Sequence, residues 1–153
     1  MNTYNKSFRN LVVWKESKIL TLSVYEITKT FPTHEIYGIT SQLRRASSSI
    51  MANIAEGNDR NTNKDKIKFF CIARASLAET DCFLELAYDL KYIDKEEYSG
   101  QLNQLNKTAY LLSKLISSCN KAILTGITFL TFLTGPGYFS LLILVFHLNF
   151  LWL

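Results

Sequence analysis

Apolar residues recur every three or four positions along four long segments of the chain, which is the spacing of one face of an α-helix. In the first segment Leu20, Val24, Ile27 and Phe31 repeat in this way, while lysine and glutamate occupy the other side. The predicted helices extend from about 12 to 30, from about 35 to 56, from Thr62 through Tyr88, and from Asp94 through Cys119. Because their connections are short, the pattern predicts an all-α, up-down-up-down antiparallel four-helix bundle.

Residues that start or stop helices lie between these segments. Pro32 disfavours a helical conformation at Phe31 and therefore separates helices one and two. Gly57 is expected to end helix two near Glu56, because glycine adopts the left-handed conformation without steric cost. Two pairs of residues have the spacing of an N-terminal capping box and predict where helices three and four begin: Thr62 with Asp65, and Asp94 with Glu97.

The apolar stripes predict which side chains form the core. The six positions expected to be fully buried are Leu43, Ile50, Leu77, Leu84, Leu105 and Leu112. Helices two and three each carry a second stripe beside the first, and that of helix three consists mostly of small residues. A four-helix core buries one stripe of each helix. The second stripes therefore predict contacts with another copy of the chain, that is, self-association.

The second stripe of helix two is polar, and helix three carries charged residues at otherwise apolar positions. An unpaired buried charge costs several kcal/mol, so these residues are expected to pair with one another. The predicted polar network consists of Gln42, Arg45, Ser49, Asn53, Glu56, Arg74, Glu79 and Asp81. Within it Asp81 or Glu79 would pair with Arg45, and Arg74 with Glu56. The alternative is that part of this cluster faces a ligand or a nucleic acid.

The formal net charge of +4 is distributed unevenly along the 153 residues. Residues 1–74 carry twelve Lys and Arg against six Asp and Glu, whereas residues 75–121 carry five against seven. An excess of positive charge favours an acidic partner such as RNA or DNA, although a solvated helix face has the same composition. The residues of the predicted nucleic-acid surface are Lys15, Lys18, Arg44, Arg60, Lys64, Lys66 and Lys68.

Motifs of catalysis and of metal binding are missing from the sequence. It contains no glycine-rich phosphate loop, no HExxH and no GxSxG, and its two histidines are far apart. We therefore expect a protein that is not an enzyme and binds no metal or cofactor. Cys71, Cys82 and Cys119 are widely spaced within helical patterns, which predicts buried, reduced thiols in a cytoplasmic protein.

Residues 122–153 contain no Asp, Glu, Lys or Arg, which divides the chain into a 1–121 bundle domain and a hydrophobic tail. Gly135-Pro136-Gly137 splits the tail into two pieces, each short for a membrane-spanning helix of about 20 residues. Three interpretations remain open: a membrane segment, an additional helix packed on the bundle, or a non-native extension. No secretory signal is recognised at the N-terminus, so the expected location is the cytoplasm, or the membrane surface if the tail inserts.

Four sequence motifs resemble those of a known family. They are FRNLVVW at 8–14, FPTHEIYGIT at 31–40, QLRRAxxSIxxNIAEGxxR at 42–60 and FFCIARASLAE at 69–79. In this order they resemble the small four-helix bundle proteins encoded in intervening sequences of bacterial 23S rRNA genes, to which the accessory variability protein of diversity-generating retroelements is related. The resemblance covers residues 8 to about 120 and implies a pentameric ring. Met51 and Ala75 depart from the family, which often has proline and glycine there, and the tail has no counterpart.

Two classes of function follow from these observations. The first is a non-enzymatic, oligomeric helical module that binds structured RNA or DNA, or a nucleic-acid enzyme, through its basic surface. The second is a structural or protein-interaction bundle, held at a membrane if the tail inserts.

Overall fold

The computed structural model describes residues 7–133, with the side chains of residues 8–125. This part of the chain is all-α and consists of four helices packed sequentially in antiparallel order, which confirms the predicted fold. The helices are α1 (Val12–Ile27), α2 (Ile39–Asn58), α3 (Asn63–Asp89) and α4 (Lys95–Leu133), and short 3₁₀ helices cover Ser7–Asn10 and Thr33–Glu35.

Each helix packs against two neighbours, so that α1 and α3 both lie between α2 and α4. Polar contacts fix how far the helices are shifted along one another. Thr21 of α1 donates to the Ser47 carbonyl of α2 at 2.9 Å, and the hydroxyls of Ser49 and Ser76 join α2 to α3 at 2.8 Å. The two ends of the bundle are therefore distinct: one holds the α1–α2 and α3–α4 connections, and the other holds the α2–α3 connection.

The six leucine and isoleucine side chains predicted to form the core are all buried, with exposed fractions between 0% and 6%. They belong to one cluster that also contains Leu20, Val24, Phe70 and Ile116. The second stripe of α3 is covered by α2 where Ser76 contacts Ser49. The second stripe of α2 is covered only in part, because Arg45 and Glu56 remain exposed.

Both predicted capping arrangements are present. The Thr62 hydroxyl accepts from the Asp65 backbone N–H at 3.1 Å. Asp94 and Glu97 cap each other reciprocally, because each backbone N–H donates to the other residue's carboxylate, at 3.0 and 2.8 Å. These bonds satisfy amide groups that have no partner within the helix, and so they define the starts of α3 and α4.

The ends of α1 and α2 differ from the sequence prediction. α1 stops at Ile27 rather than at 30, because Lys29 and Thr30 bond only three residues back, as in a turn. α2 begins at Ile39 rather than near 35, since Gly38 has φ −92° and ψ −128°, outside the helical region. The segment between contains the Thr33–Glu35 3₁₀ turn.

Gly57 has a different role from the predicted one. α2 continues through it to Asn58, so Gly57 does not end the helix. It is buried, and a Cβ placed on it would lie 2.6 Å from Cε1 of Phe70 and 3.0 Å from Cβ of Phe69. Glycine is required here because α3 approaches the backbone of α2 too closely for a side chain.

α4 continues without interruption past Lys121 as far as Leu133, so the first twelve residues of the tail extend the fourth helix. Within residues 7–133, none of the helices combines the length and hydrophobicity needed to cross a bilayer. The Gly135-Pro136-Gly137 break and the rest of the tail lie outside the described residues.

The three cysteines are free, but they are not all buried as predicted. Cys119 belongs to the core, Cys71 is half-buried and Cys82 is exposed on α3. The prediction is wrong for Cys82 because helical spacing places that residue on the outer side of α3, away from both neighbouring helices.

Gly57 and Gly100 offer a direct test of the close approach between α2 and α3. We expect Gly57→Ala to lower the free energy of unfolding, because the new methyl group collides with the Phe70 ring. Gly100→Ala should instead raise it by about 0.5–1 kcal/mol, since a Cβ there meets nothing within 4 Å and alanine favours the helix. Urea denaturation measures both variants, and a stabilising Gly57→Ala would contradict the assignment.

Candidate nucleic-acid interface

The predicted polar network is only partly assembled, and its centre is a seam between α2 and α3. Ser49 bonds to Ser76, and the Asn53 amide donates to the carbonyl and hydroxyl of Ser49 at 2.8 and 3.1 Å. Arg45 forms an ion pair with Glu79, one of the two partners predicted for it, and also donates to Gln42 at 2.9 Å. This seam joins two helices of one chain and faces solvent at its outer edge.

Glu56 and Arg74 do not form the predicted pair. Glu56 pairs with Arg60, four residues later, and its side chain is 51% exposed. Arg74 lies on the side of α3 that is turned towards α4. Asp81, seven residues later on the same side, is close enough to Tyr98 of α4 to raise the pKa of that tyrosine. Both Arg74 and Asp81 are exposed, so neither needs a buried partner.

The seven predicted nucleic-acid contacts do not form one surface. Lys15 and Lys18 lie on the outer side of α1, with the Lys18 ammonium 5.8 Å from the centre of the Trp14 ring. Arg44 lies in the second turn of α2, near the α1–α2 connection. Arg44 and Asn58 are separated by fourteen residues of helix, about 21 Å. The remaining four, Arg60, Lys64, Lys66 and Lys68, lie at the α2–α3 connection and the first turns of α3.

Arg60 is held between an aromatic ring and a carboxylate. Its guanidinium carbon lies 4.4 Å above the centre of the half-buried Phe69 ring, and Glu56 holds it from the side. The ring and the carboxylate restrict the side chain to one position while 44% of it remains exposed. An arginine that is already oriented loses less conformational entropy when it binds a phosphate.

The three lysines of the first turns of α3 differ from one another. Lys64 and Lys68 are exposed, and Lys68 bonds at 2.8 Å to Asp65, which holds the pKa of that carboxyl below its ordinary value. Lys66 is half-buried on the core-facing side of the helix, because residues two apart do not share a face. Of these three lysines, Lys64 and Lys68 share the exposed side of α3.

Residues outside the predicted set also lie at the end of the bundle that holds the α2–α3 connection. One of them is Lys121 of α4. The rings of Tyr88 and Tyr98, whose centroids are 4.7 Å apart, bring α3 and α4 together at the opposite end. Twenty-three residues from each ring towards the α2–α3 connection lie Asp65 on α3 and Lys121 on α4, so these two residues are at a similar height in the bundle. The 3₁₀ helix containing Arg9 packs on α1 and α2 beyond the start of α1. We define the basic end as Arg9, Arg60, Lys64, Lys66, Lys68 and Lys121.

The spacing of the α4 lysines in the sequence already indicates a basic side of α4, which the net charge of residues 75–121 does not reveal. From Tyr98 onward the sequence contains no acidic residue, and Lys107, Lys114 and Lys121 follow one another at intervals of seven. That spacing puts them on one side of the helix, where all three are exposed. The acidic residues that make this part of the chain negative all precede Tyr98.

The opposite end of the bundle is acidic. The second half of α3 and the start of α4 carry Asp81, Glu85, Asp89, Asp94, Glu96 and Glu97. Burial raises the pKa of Tyr98, and the charges of Glu85, Asp81 and Asp89 raise it further. The bundle thus carries opposite charge at its two ends.

Metal ligands are not gathered anywhere in residues 7–133, where no group of three or more His, Cys, Asp or Glu side chains could hold an ion. An open pocket of about 490 Å³ lies at the α3–α4 connection, between Tyr88, Tyr92 and Asp94. The Tyr92 hydroxyl is already engaged, because it donates to Glu35 at 3.1 Å.

The family of the chain follows from its sequence. Residues 9–114 match the family described as 23S rRNA-intervening sequence protein. The chain belongs to the 23S rRNA-intervening sequence protein family. The match includes three motifs in full and all but Phe8 of the first, together with the seam between α2 and α3 and most of the basic end. Met51 and Ala75, where the sequence departs from the expected pattern, are both helical.

A solved structure supports the same assignment. The 1.70 Å crystal structure of a protein of unknown function of the S23 ribosomal protein family from Bacteroides thetaiotaomicron is 28% identical, with a TM-score of 0.64. The similarity covers 69% of this chain and 98% of that one. A comparison with curated proteins finds no match.

Glu16 links α1 to α4 near the middle of the bundle. Its carboxylate accepts from the Gln104 amide at 2.8 Å and pairs with Lys107 at 2.9 Å, and its side chain is 13% exposed. The hydrogen bond from Gln104, followed by those from Lys107, lowers the pKa of Glu16 below the ordinary 4.5. The ionised form therefore stabilises the fold above that pH.

We expect Glu16→Gln to lower the free energy of unfolding at pH 7, and this loss relative to wild type should shrink as pH falls through the lowered pKa. The sign follows because acid removes from the wild type the same charge that the substitution removes. Denaturant titrations at pH 7 and about pH 3 measure it. Glu56→Gln is the matched control and should change stability by less than about 1 kcal/mol, since that pair is exposed. A loss for Glu16→Gln that is equal at both pH values would contradict the role assigned to it.

Proposed function

We propose that this member of the family is a non-enzymatic, self-associating helical bundle that binds structured RNA or DNA through its basic end. The observation that carries the proposal is the separation of charge along the bundle axis. The cations of the basic end come from three parts of the chain and lie at the same end because the helices are antiparallel. A polyanion would be attracted to this end and repelled by the acidic one.

The chemistry of the basic end also favours a nucleic acid. Arg60 lies over Phe69, and Arg9 lies 5.5 Å from the centre of the Phe8 ring. On α4, Tyr110 is 60% exposed, and the Lys114 ammonium lies 5.3 Å from its ring centre. Cations that neutralise phosphates, interleaved with aromatic rings on which bases stack, are the usual components of such surfaces.

We take structured RNA as the first ligand to test, because the family is named for intervening sequences of 23S rRNA. A structured RNA presents phosphates from neighbouring strands within a short distance, so it suits a compact cluster of cations. The second class of function, a structural or protein-interaction bundle, would leave the basic end in contact with solvent alone.

Two exposed lysines of the basic end test the proposal, and two exposed lysines of the other end provide the control. We expect Lys64→Gln with Lys121→Gln to weaken binding of a hairpin RNA. The slope of log K against log salt should decrease by about one unit for each phosphate that the protein no longer neutralises, because fewer counterions are released. Fluorescence anisotropy at several salt concentrations measures this slope.

Lys91→Gln with Lys95→Gln removes the same charge from the acidic end and should leave the slope unchanged, because both lysines are exposed there and neither lines the Arg44 site described below. Equal effects of the two double variants would show that net charge, rather than the basic end, attracts RNA. A DNA hairpin of the same sequence distinguishes the two nucleic acids. Wild-type protein that binds neither hairpin would favour the protein-interaction bundle.

Self-association has its own structural support. On α1, Val12, Ile19 and Leu22 are each more than half exposed although they lie on a well-formed helix. On α3, Ile72 and Leu90 are 48% and 45% exposed. Exposed apolar side chains repeated along one helix mark contact sites more often than isolated ones do. These outer faces are the surfaces that a second copy would cover.

We expect Ile19→Lys with Leu22→Lys to lower the molar mass measured by light scattering on the full chain at micromolar concentration. The reason is that lysine at these positions would have to be desolvated in an apolar contact. Tyr37→Lys is the control, because Tyr37 is 91% exposed but lies outside the helix faces. The tail is the same in all variants, so a difference between them reports on α1. A molar mass of wild-type protein equal to that of one chain would contradict the proposed self-association.

A further inference from the structure

A small pocket lies at the α1–α2 connection, at the end of the bundle opposite the basic end. Its volume is about 170 Å³. The hydroxyl-bearing residues Thr28 and Thr40 and the cation Arg44 line it, and Phe31, Pro32 and Ile36 form an apolar wall. None of the side chains that line it is a carboxylate.

Arg44 is held in place at this pocket. Its Nε donates to the Thr28 hydroxyl at 2.7 Å, and its guanidinium carbon lies 5.0 Å from the centre of the Tyr25 ring. Thr28 in turn donates to the Val24 carbonyl at 2.8 Å, so its orientation is also fixed. The terminal nitrogens of Arg44 have no hydrogen-bond partner within residues 7–133, which leaves both available to an acceptor.

Thr40 provides a second and independent observation. Its side chain is buried, with 5% exposed, yet its hydroxyl has no hydrogen-bond partner among the described residues. A buried hydroxyl without a partner destabilises the fold, because it has lost its hydrogen bonds to water. The other buried threonines of the bundle avoid this cost, as Thr80 does by donating to the Ser76 carbonyl at 2.8 Å. Thr40 lines the pocket, so rotation of its side chain towards a bound acceptor would give the hydroxyl a partner.

From this geometry we propose that the pocket binds a phosphate group, with Arg44 and Thr40 as its donors. The planar guanidinium presents two parallel N–H groups that match two phosphate oxygens, and the Thr40 hydroxyl supplies a donor to a third. The apolar wall accommodates the carbon next to the ester oxygen. We call this site the Arg44 pocket.

The size of the pocket limits what it can hold. Pockets for drug-sized molecules enclose about 300–1,000 Å³, so about 170 Å³ admits a phosphate and little of the attached skeleton. The ligand is therefore the phosphate of a small ester or the terminal phosphate of a nucleic acid. Glu35, in the same connection, has both carboxylate oxygens engaged, by Tyr92 at 3.1 Å and by the Ile39 N–H at 3.2 Å.

Titration with inorganic phosphate tests the site in the full chain, with sodium chloride at equal ionic strength as the reference. We expect calorimetry to show saturable binding to wild-type protein, weakened at least tenfold by Arg44→Gln and by Thr40→Val. Thr40→Val keeps the shape of the side chain and removes the orphaned hydroxyl. It should therefore melt no lower than wild type, which shows that weaker binding does not result from unfolding.

Each variant has a matched control. Arg45→Gln removes the neighbouring arginine, which pairs with Glu79 outside the pocket, and Thr80→Val removes a buried hydroxyl that already has a partner. Both should bind phosphate as wild type does. Absence of saturable binding to wild-type protein would overturn the proposal, and so would equal binding by Arg44→Gln.

Competition identifies the source of the phosphate. The competitors are glycerol phosphate, a short RNA with a 5′-phosphate and the same RNA with a 5′-hydroxyl. Stronger competition by the phosphorylated RNA than by the other two assigns a nucleic-acid end, and competition by glycerol phosphate alone assigns a small ester. The Lys64→Gln, Lys121→Gln variant should retain phosphate binding, so the pocket and the basic end can fail independently.

Discussion

The close approach of α2 and α3 is the constraint on which the rest of the structure depends. Gly57 lets Phe69 and Phe70 reach the backbone of α2, and Ser49 and Ser76 meet at hydrogen-bonding distance further along the same contact. Small residues on facing helices allow more atoms to approach within van der Waals distance, which favours this one packing arrangement over alternatives. Because the two helices are antiparallel, the contact also places the end of α2 beside the start of α3.

The electrostatic character of the bundle follows from that arrangement. Arg60 follows α2 and Phe69 lies in the second turn of α3, so the cation and the ring that supports it meet at one end. α4 begins at the acidic end and carries its lysines towards the basic one. Charges that nearly balance along the sequence are thereby separated in space. A net charge of +4 understates how strongly the two ends differ.

The Arg44 pocket and the basic end occupy opposite ends of the same helix. Arg44 and Arg60 are both held over aromatic rings, at 5.0 and 4.4 Å, but their surroundings differ. Arg60 is exposed beside other cations, as suits a polymer that contacts several residues at once. Arg44 lies in a small pocket with a buried hydroxyl, as suits a single group. The two proposed anion sites therefore lie at opposite ends of α2 and share no residue.

The sequence by itself determined the class of fold, the six core positions and the starts of α3 and α4, because helical periodicity and capping depend on residues close along the chain. It did not determine the partners of Glu56 and Arg74, the role of Gly57 or the burial of Cys82. Each of these depends on which side of a helix meets a neighbour and on how closely. Likewise, charge counted along the chain could not reveal the basic end, since Arg9 and Lys121 approach the α3 lysines only through helix packing. Local patterns set the helices, and only the contacts between helices decide which side chains share a surface.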